Sequence, residues 1–284
     1  MITVIAHCDG LPDVLVDRKM MCALTGKTGF KIALTVVGVL LGWHLIVLVT
    51  GVPKFIFPSP VSVGQSLLTH HQTLFSNAVV TTIEIVCGLI IGTVLGVISA
   101  VLLTSFNNTR RWALPLMVVS QSLPVFALAP LLTLWFGYGL SSKIVMAVLI
   151  IYFPVAAATF DGLRHTSDAM LELASTMNAS RWAVMRHIRL PAALPSMASG
   201  VRVAASVAPI GAVVGEWVGS SKGLGYLMLH ANGRMQTDLM FAALLCLSVI
   251  GVTLYFTVNT LLDRCLYWQA DSALSFNTQE KQAT

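Results

Sequence analysis

The sequence is short of charge. Asp, Glu, Lys and Arg together make up 10% of its 284 residues, where a soluble globular chain carries roughly a quarter. A soluble form would expose apolar patches large enough to aggregate. Disorder, a coiled coil and a collagen-like chain are excluded by the same composition. Cysteine is scarce as well. Cys8, Cys22, Cys87, Cys246 and Cys265 include no CxxC pair, so neither a disulfide scaffold nor a zinc site is indicated. A cleavable signal is also missing, because residues 1–31 hold no apolar run at the right place. They read as a short cytoplasmic arm with Asp9, Asp13, Asp17, Arg18 and Lys19, and with Met20 or Met21 as an alternative natural start.

What is abundant is apolar: 56% of residues are hydrophobic and the mean hydropathy is +0.82. These residues come in long runs rather than in alternation, which favours membrane-spanning helices over a barrel. A hydrocarbon core of about 30 Å needs roughly 20 apolar helical residues. Six segments meet or approach that length: Ile32–Thr50, Ala78–Thr104, Leu114 to about Phe136, Ile144–Phe160, roughly Met197–Val218, and Leu239–Leu262. The expected fold is therefore all-α, with a six-helix transmembrane domain over 32–262 and a tail over 263–284. Pro124, Pro130, Pro154 and Pro209 fall within or near the ends of spans, where a freed backbone carbonyl must be satisfied by neighbours or water. Spans three and five are thus candidates to line a path, through Gln121, Ser122, Pro124, Pro209 and Glu216.

Basic residues set the orientation. Arg18, Lys19, Lys27, Lys31, Arg110, Arg111, Arg164, Arg181, Arg186, Arg189, Arg264 and Lys281 fall on one side. Only Lys54, Lys143, Lys222 and Arg234 fall on the other. Both termini are expected in the cytoplasm of a multi-pass protein of the bacterial inner membrane. The net charge of +5 follows from this topology and does not point to nucleic acid. Gly88, Gly92 and Gly96 form a GxxxGxxxG face, expected to pack another helix within the same chain.

The connection Asp161–Pro195 is long, and length of that kind is usually functional or structured. Ser167 and Asp168 can cap one short helix, Asn178 can end it in the left-handed region, and Ser180 can cap a second. Pro191 and Pro195 are expected to stop that second helix and turn the chain toward span five. Glu172-Leu173-Ala174, Asn178-Ala179 and Ile188-Arg189-Leu190-Pro191 follow at fixed spacing. The pattern resembles the EAA motif of permease subunits of bacterial ABC importers, with Leu173 in place of an Ala and Asn178 in place of a Gly. The resemblance implies a type I importer fold and a homodimer. It also implies a loop that docks on an ABC ATPase subunit through Glu172, Ala174, Asn178, Ala179, Ile188, Leu190 and Pro191. ATP and Mg would sit on that ATPase, with no cofactor on this chain, and a periplasmic or lipid-anchored solute-binding protein would deliver a small organic solute. The competing reading of the loop is a helix pair lying on anionic membrane lipid through Arg181, Trp182, Arg186 and Arg189.

Phe57-Pro58-Ser59-Pro60 and the stretch from Gly215-Glu216-Trp217 to Gly223-Leu224-Gly225-Tyr226 resemble permeases of the nitrate/sulfonate/taurine group. Within that group, Gly223-Leu224-Gly225-Tyr226-Leu227-Met228 followed by Met235-Gln236-Thr237-Asp238-Leu239 resembles permeases for thiamine-precursor pyrimidines, with sulfonate, taurine or nitrate as the alternative cargo. Other matches lack their context. Gly26-Lys27-Thr28 would need a Gly where Met21 stands to form a phosphate-binding loop. Gly219 to Gly223 spells GxSxG, but a membrane helix precedes it rather than a strand. His70 and His71 are adjacent and so do not share a helix face. Glu84, Arg202 and Glu216 are the ionisable residues in or near spans. Arg202 is expected to snorkel to headgroups and Glu216 to lie at the interface, while Glu84 needs a partner or a wet cavity. A stand-alone secondary transporter or channel would call for inverted repeats and paired midplane charges, which the sequence does not display.

Overall fold

The computed structural model describes residues 34–35, 37–105, 115, 119, 124–266 and 268. The described chain is helical throughout its regular elements. In order these are α1 (Val37–Thr50), α2 (Pro60–Thr69), α3 (His71–Ser105), α4 (Val125–Phe136), α5 (Leu140–Arg164), α6 (Asp168–Thr176), α7 (Arg181–Val184), α8 (Leu190–Gly219), α9 (Leu224–Gly233) and α10 (Thr237–Cys265). Four helical stretches are long and apolar enough to cross a bilayer: α3, α5, Arg181–Gly219 and α10. The expected first and third spans show shorter apolar helices, α1 and α4, and the remainder of span three lies mostly outside the described residues. Pro124 stands at the N-cap of α4 and Pro130 inside it.

Helix α5 is the centre of the bundle. Ala147, Ile151 and Val155 are fully buried between α3 and α8, alongside Ile85 of α3 and Ala204, Ala205, Ala208 and Ala212 of α8. The expected glycine face is used within the chain. A Cβ on Gly88 would lie 2.6 Å from the Ala147 methyl, and one on Gly92 would lie 2.7 Å from Ile151. At Gly96 the neighbours are backbone atoms of Tyr152 and Ala156. From the opposite side Gly200, Gly211 and Gly215 meet α5 as closely. Lipid tails give apolar helices no hydrophobic reason to associate, so dense contact between small-residue faces has to supply the adhesion.

Two smaller features seat the outer helices. Ser59 accepts a hydrogen bond from the Ser62 N–H at 3.2 Å and Pro60 opens α2, the preferred order for a helix start. Phe57 packs with Trp43 of α1 and Phe241 of α10 at centroid distances of 6.0 and 5.9 Å, and the Trp43 indole donates to the Pro58 carbonyl at 3.1 Å. The Phe57–Pro60 stretch thus joins α1, α2 and α10.

Gly88→Val should destabilise the chain by about 1–3 kcal/mol, the usual result of overpacking a tight contact. Gly64→Ala in α2, where a Cβ meets nothing within 4 Å, should lose nothing. Thermal unfolding of the purified variants in detergent separates the two.

Candidate functional site

The connection between α5 and α8 is a pair of short helices with a defined bend. Asn178 takes φ +54°, as expected of the residue that ends α6. Its N–H donates to the Ser175 carbonyl at 2.9 Å, and the Ala179 N–H donates to the Ala174 carbonyl at 3.0 Å. That pair of bonds is a Schellman motif, which satisfies carbonyls at a helix end and requires a left-handed residue between them. Ala174 is buried at the bend. Ser180 then caps α7, its hydroxyl accepting from the Ala183 N–H at 3.2 Å. Ser167 holds the N-cap position of α6 without a side-chain cap bond.

Beyond Ser180 the structure departs from expectation. Pro191 and Pro195 do not stop the second helix. Arg181 to Gly219 runs as one helical stretch of 39 residues, carried through a π-turn at Met185–Arg189 in which the Leu190 N–H donates to the Met185 carbonyl. The π-turn widens the helix by one residue immediately ahead of Pro191, which relieves the clash of its ring with the preceding turn. Met185 and Ala193 are buried with Ala100, Leu103, Phe160 and Leu163, so packing against α3 and α5 holds the helix in place across the prolines.

Six of the seven loop residues named from the sequence surround this bend. Ala174, Ala179, Ile188 and Pro191 line an apolar groove of about 590 Å³. Leu190 packs on the buried cluster behind it. Glu172 is exposed and makes no ion pair among the described residues, so no bond to Arg181 fixes the angle between the helices. The backbone bonds at Asn178 do that instead. Leu173 is 62% exposed, so the larger side chain does not crowd the bend.

A second polar constellation lies at the other end of the bundle. Glu84 of α3, Lys143 of α5 and Glu216 of α8 are 0%, 4% and 1% exposed. The Lys143 ammonium donates to Glu84 Oε1 at 2.7 Å and to the Lys222 carbonyl at 3.3 Å. Glu216 accepts from the Thr81 hydroxyl at 2.6 Å, from the Gly225 N–H, and from the Tyr226 N–H at 3.3 Å. Thr81 Oγ1 in turn accepts from the Leu224 N–H at 2.9 Å, and Asn77 Oδ1 accepts from the Gly223 N–H at 2.8 Å. Gly223 has φ +122° and its Cβ would collide with the Glu216 carboxylate. The glycines of the Gly223-Leu224-Gly225 stretch are therefore the condition for its backbone to wrap the carboxylate. Glu84 has the partner it needed, whereas Glu216 sits inside the protein rather than at an interface. Arg202 donates to Asn259 Oδ1 at 2.7 Å and to Asp263 Oδ1 at 2.6 Å, tying α8 to α10.

Of the residues expected to line a path, Pro124 and Pro209 are helix positions in α4 and α8. Glu216 belongs to the buried network, and Gln121 and Ser122 lie outside the described residues. Sequence reasoning missed Lys143, Thr81 and Asn77. A lysine at the start of an apolar run is a signal for a buried partner, but Lys143 was counted as a topological charge. Glu84→Leu leaves Lys143 buried beside an apolar group and should destabilise the chain by about 3–5 kcal/mol. Glu84→Leu combined with Lys143→Met should recover most of that loss, read as the unfolding midpoint in detergent.

The chain matches the family model described as the binding-protein-dependent transport system inner membrane component over residues 92–267. It is 57% identical over 235 residues to a probable ABC transporter permease protein of Haemophilus influenzae, covering 82% of this chain and 96% of that one. It is 34% identical to the formylaminopyrimidine transport permease protein ThiX of Halalkalibacterium halodurans, covering 80% and 91% of the two chains. Among solved structures it resembles the inward-facing methionine ABC transporter MetNI, with a TM-score of 0.54 at 19% identity over 68% of this chain and 94% of that one.

Proposed function

We infer the function from one premise, that the chain belongs to the family of binding-protein-dependent transport system inner membrane components. It is the permease subunit of an ABC importer, a multi-pass protein of the inner membrane, and stands with the sulfonate, taurine and nitrate group. Its cargo, in the reading proposed here, is a thiamine-precursor pyrimidine. The support is the identity of 34% along most of the chain to a permease named for formylaminopyrimidine. Sulfonate, taurine and nitrate are the alternatives.

Two copies form the pore, with both termini in the cytoplasm. Each copy engages one ATPase subunit through the loop from Glu172 to Pro191, and a solute-binding protein delivers cargo from the other side. ATP and Mg act on the ATPase, and this chain binds no cofactor. The observation that supports the coupling assignment is the Schellman bend at Asn178 beside an apolar groove, with Glu172 exposed on the helix that leads into the bend. Such a bend presents the two short helices at a fixed angle without a side-chain brace. ATP binding that draws two ATPase subunits together would move the two loops as rigid bodies, and the helices that continue from them would rock between two packed states.

Two experiments test this reading. Asn178→Val forces a β-branched residue to positive φ, at a cost of roughly 1–3 kcal/mol concentrated at the bend. Glu172→Lys reverses an exposed charge. Each should insert in the membrane yet lose most co-purification of the ATPase and most transport in reconstituted vesicles, while Asn178→Gly stays close to wild type. Full transport by both variants removes the loop from its coupling role. The vesicle assay also ranks cargo: ATP-driven uptake of formylaminopyrimidine should exceed that of taurine or nitrate, and the opposite order would reassign the substrate.

Orientation is checked in the same cells. In a background without the native cysteines, Ser221→Cys should react with an impermeant thiol reagent from outside. Ser180→Cys should react only after permeabilisation. The reverse pattern overturns the assignment from basic residues.

A further inference from the structure

The Glu84–Lys143–Glu216 network contains two carboxyl groups and one ammonium, all buried. Its hydrogen-bond donors are unevenly spent. Glu216 receives the Thr81 hydroxyl and the N–H groups of Gly225 and Tyr226. Glu84 receives the Lys143 ammonium on Oε1. Glu84 Oε2 is sealed from solvent, and no donor among the described residues reaches it. A buried carboxylate oxygen without a donor is rare in a folded protein and asks for an explanation.

The surroundings narrow what that explanation can be. The charged groups that face Glu84 are Lys143 of α5 and Glu216 of α8, and the two carboxyl groups lie within hydrogen-bond range of each other. From the segment beyond α8 come the Lys222 carbonyl, at Lys143, and the α9 backbone N–H groups, at Glu216. Two ionised carboxylates in contact, away from water and with one cation to share, would repel at short range with little screening. One proton between them removes the repulsion and turns the idle oxygen into a donor with an acceptor at hand. Glu216 is the better acceptor of the two, since its three other donors all favour its ionised form.

We propose that Glu84 is a neutral carboxylic acid whose Oε2–H donates to the Glu216 carboxylate, so that the network holds one proton and carries no net charge. The proton is a clasp between α3 and α8, beside the bond that Thr81 makes to the same carboxylate. An ionised Glu84 would instead set two negative groups against each other across that contact. The clasp is independent of the cargo and of ATPase docking, and it needs only the intact chain.

The test is infrared spectroscopy of the purified full-length chain at neutral pH, in a detergent without ester carbonyls. Solvated Asp and Glu side chains are ionised there and give no acid carbonyl band. The wild-type chain should show such a band, equivalent to one acid per chain and shifted downward in heavy water as a protonated carboxyl is. Glu84→Gln should lose the band yet keep the wild-type unfolding midpoint, because its amide accepts from Lys143 and donates to Glu216 as the neutral acid does. Glu216→Gln should lower the midpoint, because it removes the negative charge on which the O–H and N–H donors converge. A wild-type chain without the band, a band that survives in Glu84→Gln, or a Glu84→Gln chain that unfolds as early as Glu216→Gln each overturns the proposal.

Discussion

The structure depends on how closely α3 and α8 approach α5. In lipid, one apolar helix surface is as well solvated by acyl chains as by another helix, so adhesion comes from packing density and from polar contacts. Glycine and alanine at the crossings let backbones come within reach of each other, as at Gly96 against Tyr152 and Ala156. The same proximity fixes the polar groups. Lys143 reaches Glu84 because α3 and α5 are in backbone contact nearby, and Gly215 keeps α8 equally close to Lys143 on its other side. Larger residues at these crossings would part the helices and leave buried charges unpaired, so packing and electrostatics fail together.

The Glu84–Lys143–Glu216 network in turn decides the shape of the bundle end. Glu216 organises the backbone between α8 and α9, whose N–H groups would otherwise lack partners at the start of α9. Thr81 serves both sides, donating to Glu216 and accepting from Leu224. A turn held by a carboxylate from its own preceding helix and a hydroxyl from a third helix cannot move without all three.

Much of this was legible beforehand. Four of the six expected spans, the glycine face of α3, the left-handed Asn178 and the Ser180 cap follow from local chemistry, which periodicity and residue type report directly. The extent of helices at their ends was less legible. Span five begins well before Met197 because tertiary packing of Met185 and Ala193 overrides the helix-breaking tendency of two prolines, and a π-turn is not a pattern that residue type announces. The buried network was the least legible part. Glu84, Lys143 and Glu216 are far apart in sequence, and only the assembled bundle brings them to one depth. The charge of Lys143 looked topological, and the identity of Glu216 suggested an interface, because sequence alone gives hydropathy but not partners.

The unbroken passage from Arg181 to Gly219 has a mechanical meaning. At a rise of about 1.5 Å per residue, this stretch is a rod of roughly 58 Å with the bend of Asn178 at one tip and the Glu216 turn at the other. A rod of that length converts a tilt of about 10° into a displacement on the order of 10 Å between its tips. The π-turn at Met185–Arg189 is an irregular joint near one end of it, and Pro195 and Pro209 interrupt the hydrogen-bond ladder farther along. Leverage of this kind needs no chain of side-chain signals: push and response are two ends of the same beam.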